Sequence, residues 1–178
     1  MSGARTILLL RHAKSAWGNA GQNDHDRPLN RRGERAAGTM ADHIASAAPR
    51  PDLILCSTAT RTRQTLAPLV KALAAPAPPI ALEKDLYLAS EATLLERQRA
   101  LPDDVRTVLL IGHNDGIGHL AGALAGQGRA GELADLRDKY PTGALANLRM
   151  SRGPWSALAP GSCELLAFVK PRDFDGDQ

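Results

Sequence analysis

Three short apolar runs in the sequence are each followed by residues that could bind or transform an anion. Arg11 and His12 follow the run TILLL, Arg61 follows LILC after four residues, and His113 follows VLLIG. A guanidinium presents a planar fork of N–H donors that matches phosphate oxygens. A neutral imidazole can act as a nucleophile or proton carrier near pH 7. The two arginines and two histidines would thus supply fixed positive charge and reactive ring nitrogens to one ligand.

These four residues can meet only if the apolar runs before them are neighbouring strands. Short apolar runs alternate along the chain with longer segments of helix formers, such as the one that Asn30 can cap. This alternation predicts an α/β sandwich with a largely parallel sheet, in which ligands bind at the carboxyl ends of the strands. The predicted strands are 6–10, 53–56, 80–82, 105–111, 144–150 and 164–169, and the predicted helices are 31–48, 59–74, 91–100 and 115–126, with a loose segment after residue 126.

Length and composition exclude several classes of protein. A chain of 178 residues with 43% hydrophobic residues is expected to form one domain over 1–178, with a flexible tail over 171–178. Two Trp, two Tyr and two Phe are too few for a domain that stacks bases or cages a methyl-lysine. A net charge of +3 is too small for general nucleic-acid binding. We therefore expect no nucleic-acid partner.

Cysteine usage and hydropathy favour a cytoplasmic protein. Cys56 and Cys163 are far apart and have no cysteine or histidine at metal-ligand spacing, so neither a disulfide scaffold nor a zinc module is expected. The apolar run at 7–10 is too short for a secretory signal. No run approaches the roughly 20 apolar residues that cross a bilayer, so no membrane partner is expected.

Five segments resemble those of a known family. They are LLLRHAKSAW, DHDRPLNRRG, LILCSTATRTRQT, LLIGHNDGI and YPTGALANL. The first four are similar to the opening Arg-His signature, the Arg-Pro-Leu loop, the second-arginine segment and the second-histidine segment of the histidine phosphatase superfamily. The fifth is similar to a strand entry typical of its SixA-type phosphohistidine phosphatases. The resemblance covers residues 5–170 and implies a three-layer α/β/α sandwich with a mostly parallel sheet, of the phosphoglycerate mutase-like kind.

The resemblance also implies a role for each residue. His12 would be the nucleophile that carries the phosphoryl group, and its second ring nitrogen should donate to a carbonyl or carboxylate. Arg11 and Arg61 would bind the phosphoryl oxygens, and His113 would add a donor. Because these side chains supply the cationic charge, neither a metal nor another cofactor is expected. The residues expected to contact the substrate are Arg11, Arg61, His113, Ser15 and Asn114.

The proton donor of the family has no clear counterpart in this sequence. Many members place a Glu or Asp near the end of a third strand, and the candidates here are Glu83, Asp85 and Glu91. An alkoxide leaving group must be protonated, since its conjugate acid has a pKa near that of water, ~16. A phosphohistidine ring can already carry a proton and leave as neutral imidazole. A missing acid therefore favours a phosphoramidate over a phosphoester.

The resemblance and the short span between Asp85 and Val105 together predict an open pocket and a protein substrate. We expect a metal-independent phosphatase acting on histidine-phosphorylated protein in signal transduction. The alternatives are a phosphatase for a small phosphorylated metabolite and a non-catalytic module that binds a phosphorylated ligand. A basic collar for an acidic partner would comprise Lys14, Arg27, Arg31, Arg32, Arg35 and Arg63.

Three other motifs resemble sites for different chemistry, but each is better explained in another way. Four residues separate Cys56 from Arg61, whereas a cysteine phosphatase loop needs five. The run from Gly116 to Ala121 matches a dinucleotide fingerprint but has no clear acidic strand end about twenty residues later. The run 24–26, Asp-His-Asp, could ligate a metal but is typical of a polar loop.

Overall fold

Helices and strands alternate along most of the chain, as the apolar pattern predicts. The computed structural model describes residues 3–17 and 19–176. The strands are β1 Arg5–Arg11, β2 Leu53–Ser57, β3 Ile80–Glu83, β4 Thr107–Gly112, β5 Ala125–Gly128, β6 Leu145–Met150 and β7 Cys163–Val169. The helices are α1 Arg31–Ala47, α2 Thr60–Ala72, α3 Glu91–Arg99, α4 Gly116–Leu124 and α5 Ala130–Asp138.

The strands form one sheet in the order β3-β2-β4-β1-β6-β7-β5. The pairs β3–β2, β2–β4, β4–β1 and β5–β7 are parallel, whereas β6 runs antiparallel to β1 and β7. All six residues of β4 are buried, as expected for a parallel strand covered on both faces. The predicted α/β class with a mostly parallel sheet is confirmed.

The core lies on both faces of the sheet because successive strand side chains point to opposite sides. Leu8 and Leu10 of β1 belong to a cluster with α1 and α2, to which Met40 and Leu69 contribute. Ile7 and Leu9 of the same strand belong to the cluster on the other face. That second cluster includes Leu94 of α3, Ile117, Leu120 and Leu124 of α4, and Leu136 of α5. Two helical layers therefore enclose the sheet.

The segment after residue 124 differs from the prediction of a loose region. The helix α4 ends at Leu124 rather than near residue 126, and the chain continues directly into β5 and then α5. The strand AGQG carries little apolar surface, and α5 buries only Leu136, so neither has a clear apolar period. The pairing of β5 with β7 stabilises this edge of the sheet. No local sequence pattern predicts that pairing.

At the carboxyl end, the structure describes part of the segment expected to be a flexible tail. Pro171–Phe174 form a short 3-10 helix, and the His43 and Phe174 ring centroids lie 5.2 Å apart. The remaining residues of that prediction, 177 and 178, lie outside the described residues, so tail flexibility stays a prediction. No helix in the described part of the chain is long and apolar enough to cross a membrane.

The sheet register brings the predicted site residues to one edge. Arg11 of β1 pairs with Gly112 of β4, and Cys56 of β2 pairs with Ile111 of β4. The three strands are parallel, so the residues that follow them emerge side by side. The backbone N–H of His12 also donates to the Gly112 carbonyl oxygen at 3.0 Å.

Candidate active site

His12 is held in one orientation just beyond the end of β1. Its side chain is buried, and its Nδ1 lies 2.7 Å from the Ala13 carbonyl oxygen. Since a carbonyl oxygen only accepts, Nδ1 carries the proton and Nε2 keeps its lone pair. The backbone N–H of Ala13 donates to Thr65 Oγ1 of α2 at 3.0 Å, which fixes the peptide that orients the ring. His12 therefore presents an unprotonated Nε2.

Burial keeps His12 neutral. The pKa of His12 is lowered to about 4, chiefly by desolvation; the hydrogen bond to the Ala13 carbonyl opposes this shift, and the nearby Arg61 and Arg11 guanidinium groups add to it. At neutral pH the imidazole is therefore uncharged. A buried, neutral and oriented imidazole is the form that acts as a nucleophile.

His113 follows β4 and lies next to His12, with their ring centroids 5.3 Å apart. Its Nε2 is 2.8 Å from Ser57 Oγ at the end of β2, whereas its buried Nδ1 has no hydrogen-bond partner among the described residues. Burial lowers the pKa of His113 to about 3, with smaller contributions from His12 and Arg61. His113 is therefore also neutral at pH 7.

Arg61, in the first turn of α2, connects His12 to the loop between β1 and α1. Its Nε donates to His12 Nε2 at 3.3 Å, which agrees with an unprotonated nitrogen there. Its Nη1 donates to the Asp24 carbonyl oxygen at 2.7 Å, and its Nη2 to Asp24 Oδ2 at 3.0 Å. Arg61 is almost fully buried and has five N–H donors, so these three bonds leave two for a ligand.

Asp24 is the carboxylate that reaches this cluster. Besides Arg61, it accepts hydrogen bonds from the Tyr87 hydroxyl and from Arg27 Nε, the latter at 3.0 Å. The bond from Tyr87, followed by those from Arg61 and Arg27, holds the pKa of Asp24 well below its usual range. Asp24 is therefore ionised at neutral pH and is no proton donor.

Arg11 is the last residue of β1 and directly precedes His12. Its Nη1 donates to the Tyr140 carbonyl oxygen at 2.8 Å, and its buried Nε has no hydrogen-bond partner among the described residues. Desolvation lowers the pKa of Arg11 from its usual range, and the nearby Arg61 contributes to this lowering, but a guanidinium stays charged at neutral pH. An anion between Arg11 and Arg61 would meet two cations beside His12.

The structure places Ser15 and Asn114 near the cluster but gives each a protein partner. Ser15 Oγ accepts from Arg27 Nη1 at 3.0 Å. Asn114 Oδ1 accepts from Gly118 N at 3.1 Å, and its Nδ2 donates to the Tyr140 carbonyl oxygen at 3.2 Å. Asn114 thereby fixes the start of α4, and its contact with substrate stays a prediction.

None of the three candidate acids makes a hydrogen bond to His12, His113 or either arginine of the site. Glu83 forms an ion pair with Arg97 of α3, at 2.8 Å. Asp85 is exposed, and Glu91 lines a cavity of about 440 Å³ between α4 and α5. These contacts therefore do not support Glu83, Asp85 or Glu91 as the proton donor.

Asp24, Tyr87 and Ser57 are the residues that sequence reasoning did not place among the site residues. The Asp-His-Asp run at 24–26 marks the loop that carries Asp24, and Tyr87 directly follows the short 3-10 helix Lys84–Leu86. Its ring packs edge-on against His113, at 5.3 Å between centroids. No sequence pattern predicts that these three residues converge, because their contacts depend on how the long loop after β1 folds back.

The competing motifs have structural explanations. A Cβ at Gly116 would lie 2.0 Å from the Ala89 carbonyl oxygen, so this glycine allows α4 to pack closely. Burial raises the pKa of the Cys56 thiol to about 12, which makes it inert as a nucleophile. Among residues 3–17 and 19–176, no group of three or more His, Cys, Asp or Glu side chains could hold a metal ion.

Known proteins resemble this chain over most of its length. Residues 7–87 match the histidine phosphatase superfamily (branch 1). An uncharacterized protein of Mycobacterium tuberculosis is 40% identical over 165 residues, covering 92% of this chain and all of the relative. One from Mycobacterium leprae is 34% identical over 168 residues, with 92% and 100% coverage.

Solved structures extend the match to the fold. A candidate phosphohistidine phosphatase SixA from Nakamurella multipartitia is 34% identical, with a TM-score of 0.81 over 95% of this chain and 97% of the other. The corresponding Agrobacterium tumefaciens protein is also 34% identical, with a TM-score of 0.78 over 94% and 98%.

The chain belongs to the histidine phosphatase superfamily. Its relatives of known structure place it in the SixA-type branch, as the sequence motifs predicted. It is a hydrolase of the phosphatase class.

Proposed function

We propose that this histidine phosphatase hydrolyses phosphohistidine on another protein through a phosphorylated His12. The observation that carries the proposal is the state of His12: Nδ1 is bonded to the Ala13 carbonyl oxygen, and the pKa is lowered to about 4. Nε2 is thereby a lone-pair donor, and the Arg61 and Arg11 guanidinium groups are close enough to contribute to the lowered pKa of the ring. The same contacts keep the ring in place through both steps of the reaction.

In the first step, Nε2 of His12 attacks the phosphorus atom, and the bond between phosphorus and the substrate imidazole breaks. Arg11 and Arg61 bind the peripheral oxygens, where negative charge is concentrated. Ser57 Oγ accepts from Ala59 N at 3.3 Å and can donate to His113 Nε2, which leaves Nδ1–H of His113 as a further donor. The substrate imidazole leaves with the electron pair of the broken bond.

In the second step, water attacks the phosphorus atom of phospho-His12. The bond from Nε2 to phosphorus breaks, and the electron pair returns to Nε2. Since Nδ1 keeps its proton throughout, His12 leaves as a neutral imidazole and needs no acid. The proton of the attacking water goes to the released phosphate.

We favour a phosphoramidate substrate because of the protonation states of the site residues. Asp24 is ionised, and both histidines are neutral at pH 7 because their pKa values are lowered to about 4 and about 3. Burial and the bond to Asp24 raise the pKa of Tyr87, which makes its hydroxyl a weaker acid. These four residues are poor proton donors for an alkoxide leaving group. A protonated phosphohistidine ring carries its own proton and needs no such donor.

The names of the related structures support the same choice. The Nakamurella and Agrobacterium proteins are each named as candidate phosphohistidine phosphatases. A structure named as the protein histidine phosphatase SixA with tungstate shares the fold, with a TM-score of 0.74 at 22% identity. We place the substrate protein in phosphotransfer signalling within the cytoplasm.

A substrate panel tests the proposal. The purified protein would receive a phosphohistidine protein, a phosphoserine peptide and a sugar phosphate, each with a chelator present. We expect turnover of phosphohistidine at a far higher kcat/KM than the two esters, and no turnover by His12→Asn. A preference for the sugar phosphate would identify a metabolite phosphatase, and binding without turnover would identify a non-catalytic module; either result would refute the proposal.

A further inference from the structure

A second, strongly basic cavity adjoins the candidate active site. It has a volume of about 510 Å³ and shares Arg11 with the site. Its walls come from the end of β1, the first turns of α1, the end of α5 and the segment after β7. The charged residues that line it are Arg11, Lys14, Arg32, Lys139, Lys170, Arg172, Asp135 and Asp138.

Most of the positive charge in this basic cavity is unneutralised. Six cationic side chains face two carboxylates. Lys170 is buried and pairs with Asp135 at 2.5 Å. Of the other cations, none lies within 4.0 Å of a carboxylate among the described residues. Lys14, Arg32 and Lys139 are all exposed, so their charges are available to a partner.

The distribution of these cations fits an acidic polypeptide better than a single small anion. A preorganised anion site has donors that converge from rigid positions. Here the free cations are long, exposed side chains carried by separate elements around a rim. Such a rim contributes to the rate and specificity of protein association through charge complementarity. The neutral lining residues leave room for a peptide backbone between the cations; they are Ala36, Pro141, Thr142 and Pro171.

We propose that the basic cavity binds an acidic segment of the substrate protein, next to the phosphorylated histidine that enters the active site. The proposal rests on the proposed function, because it assumes a protein substrate. Arg11 joins the two regions, so a chain whose phosphohistidine reaches His12 would carry its flanking residues past Arg32 and Lys139. The occupant is a stretch of Asp or Glu side chains.

The basic cavity also refines the predicted collar. Lys14 and Arg32 line it, whereas Arg27 bonds to Asp24 and Ser15, and Arg63 donates to the Thr58 carbonyl oxygen. Lys139 lies outside the predicted collar altogether. Binding selectivity is therefore expected to depend on Arg32 and Lys139.

The test uses three phosphohistidine substrates: a peptide flanked by glutamates, the same peptide with glutamines, and free phosphohistidine. The variant is Arg32→Gln combined with Lys139→Gln. The control is Arg106→Gln combined with Lys71→Gln, which removes the same residue types from exposed positions outside the cavity. We expect the cavity variant to raise KM for the glutamate peptide about fivefold, with kcat unchanged, because each exposed pair contributes modestly.

The outcomes separate the two proposals. If the wild type hydrolyses none of the three substrates, the proposed function fails. If it hydrolyses them but the glutamate and glutamine peptides have equal KM values, or the control variant raises KM as much as the cavity variant, the docking proposal fails. An equal rise in KM for free phosphohistidine would also overturn it, because the effect would then not depend on acidic residues beside the phosphohistidine.

Discussion

The carboxylate of Asp24 determines how Arg61 is presented to a ligand. Through Asp24, Arg61 is tied to Arg27 and Tyr87, and the same guanidinium reaches His12. Because a fixed fork loses less entropy when it binds an anion, this network preorganises the site. Asp24 is therefore a positioning residue rather than a proton donor.

Replacing Asp24 tests this role. We expect Asp24→Asn to lower kcat/KM about tenfold, since an amide replaces the charged partner of a buried guanidinium. The pH profile of kcat/KM should keep its shape, because Asp24 transfers no proton. The control is Asp26→Asn, which changes an exposed carboxylate whose nearest partner is His25 at 3.4 Å. Loss of one limb of the pH profile in Asp24→Asn would show that Asp24 acts as an acid or base.

The sequence predicts the site residues that lie at strand ends or in family motifs. It does not predict the site residues that are brought in by the folding of a loop. Arg11, His12 and His113 directly follow or end apolar strands, so topology alone predicts that they share an edge. Asp24 lies twelve residues beyond His12 in a polar loop. Its contact with Arg61 depends on the path of that loop and on Tyr87, which no period or spacing encodes.

Helix α2 carries both Arg61 and Thr65, the residue that fixes the backbone next to His12. One helical turn after Arg61, Thr65 Oγ1 accepts from the Ala13 N–H and donates to the Arg61 carbonyl oxygen at 2.7 Å. The backbone that orients His12 is therefore fastened to the helix that carries Arg61. Strand β1 and helix α2 act as one support.

Removing that hydroxyl should loosen the nucleophile without removing any reacting group. We expect Thr65→Val, which is close in shape, to lower kcat about tenfold while KM changes little, because the Ala13 N–H loses its partner in a buried position. Thr65→Ser retains the hydroxyl and should restore most of kcat. Equal kinetics for the valine and serine variants would rule out this role for Thr65.

Tyr140 joins two strands beneath the site. Its hydroxyl donates to the Leu9 carbonyl oxygen at 2.6 Å and accepts from Ala146 N at 3.0 Å. We expect Tyr140→Phe to lower the free energy of unfolding by roughly 1–3 kcal/mol, because both buried backbone groups lose their partner. Urea unfolding measures this value, and Tyr87→Phe is the control with an exposed hydroxyl. An unchanged free energy of unfolding would contradict the assigned bonds.

The elements that could be predicted were those with apolar runs or clear helix starts. Asn30 caps α1 as predicted, with its Oδ1 accepting from Gly33 N at 2.8 Å. The strand β5 and the helix α5 were missed because they are defined by pairing with β7 and by a single buried leucine. Long-range pairing without local apolar periodicity leaves no signal in a single sequence.

For the whole molecule, two buried neutral histidines make stability depend on pH. The folded-state pKa values of His12 and His113 are lowered to about 4 and about 3, below the ordinary value of 6.5. Above pH 6.5 both histidines are neutral in the folded and unfolded states. As pH falls below 6.5, the unfolded chain binds protons that the folded chain excludes, so stability is lost.

Urea unfolding between pH 7 and pH 4 measures this effect. We expect each histidine to contribute a slope approaching about 1.4 kcal/mol per pH unit within that window. His12→Asn removes one of the two groups, so its free energy of unfolding should fall less steeply than that of the wild type. Parallel curves for the two proteins would show that His12 is not held neutral by burial.

The most direct test of the account is whether the phosphoryl group passes through His12. The wild-type protein would be mixed with a phosphohistidine peptide, quenched in alkali within a single turnover and analysed by mass spectrometry. We predict an acid-labile phosphoryl group on the peptide that contains His12, and none in His12→Asn. Full turnover by His12→Asn, or phosphate release by the wild type with no phosphorylated His12 at any time, would contradict the account.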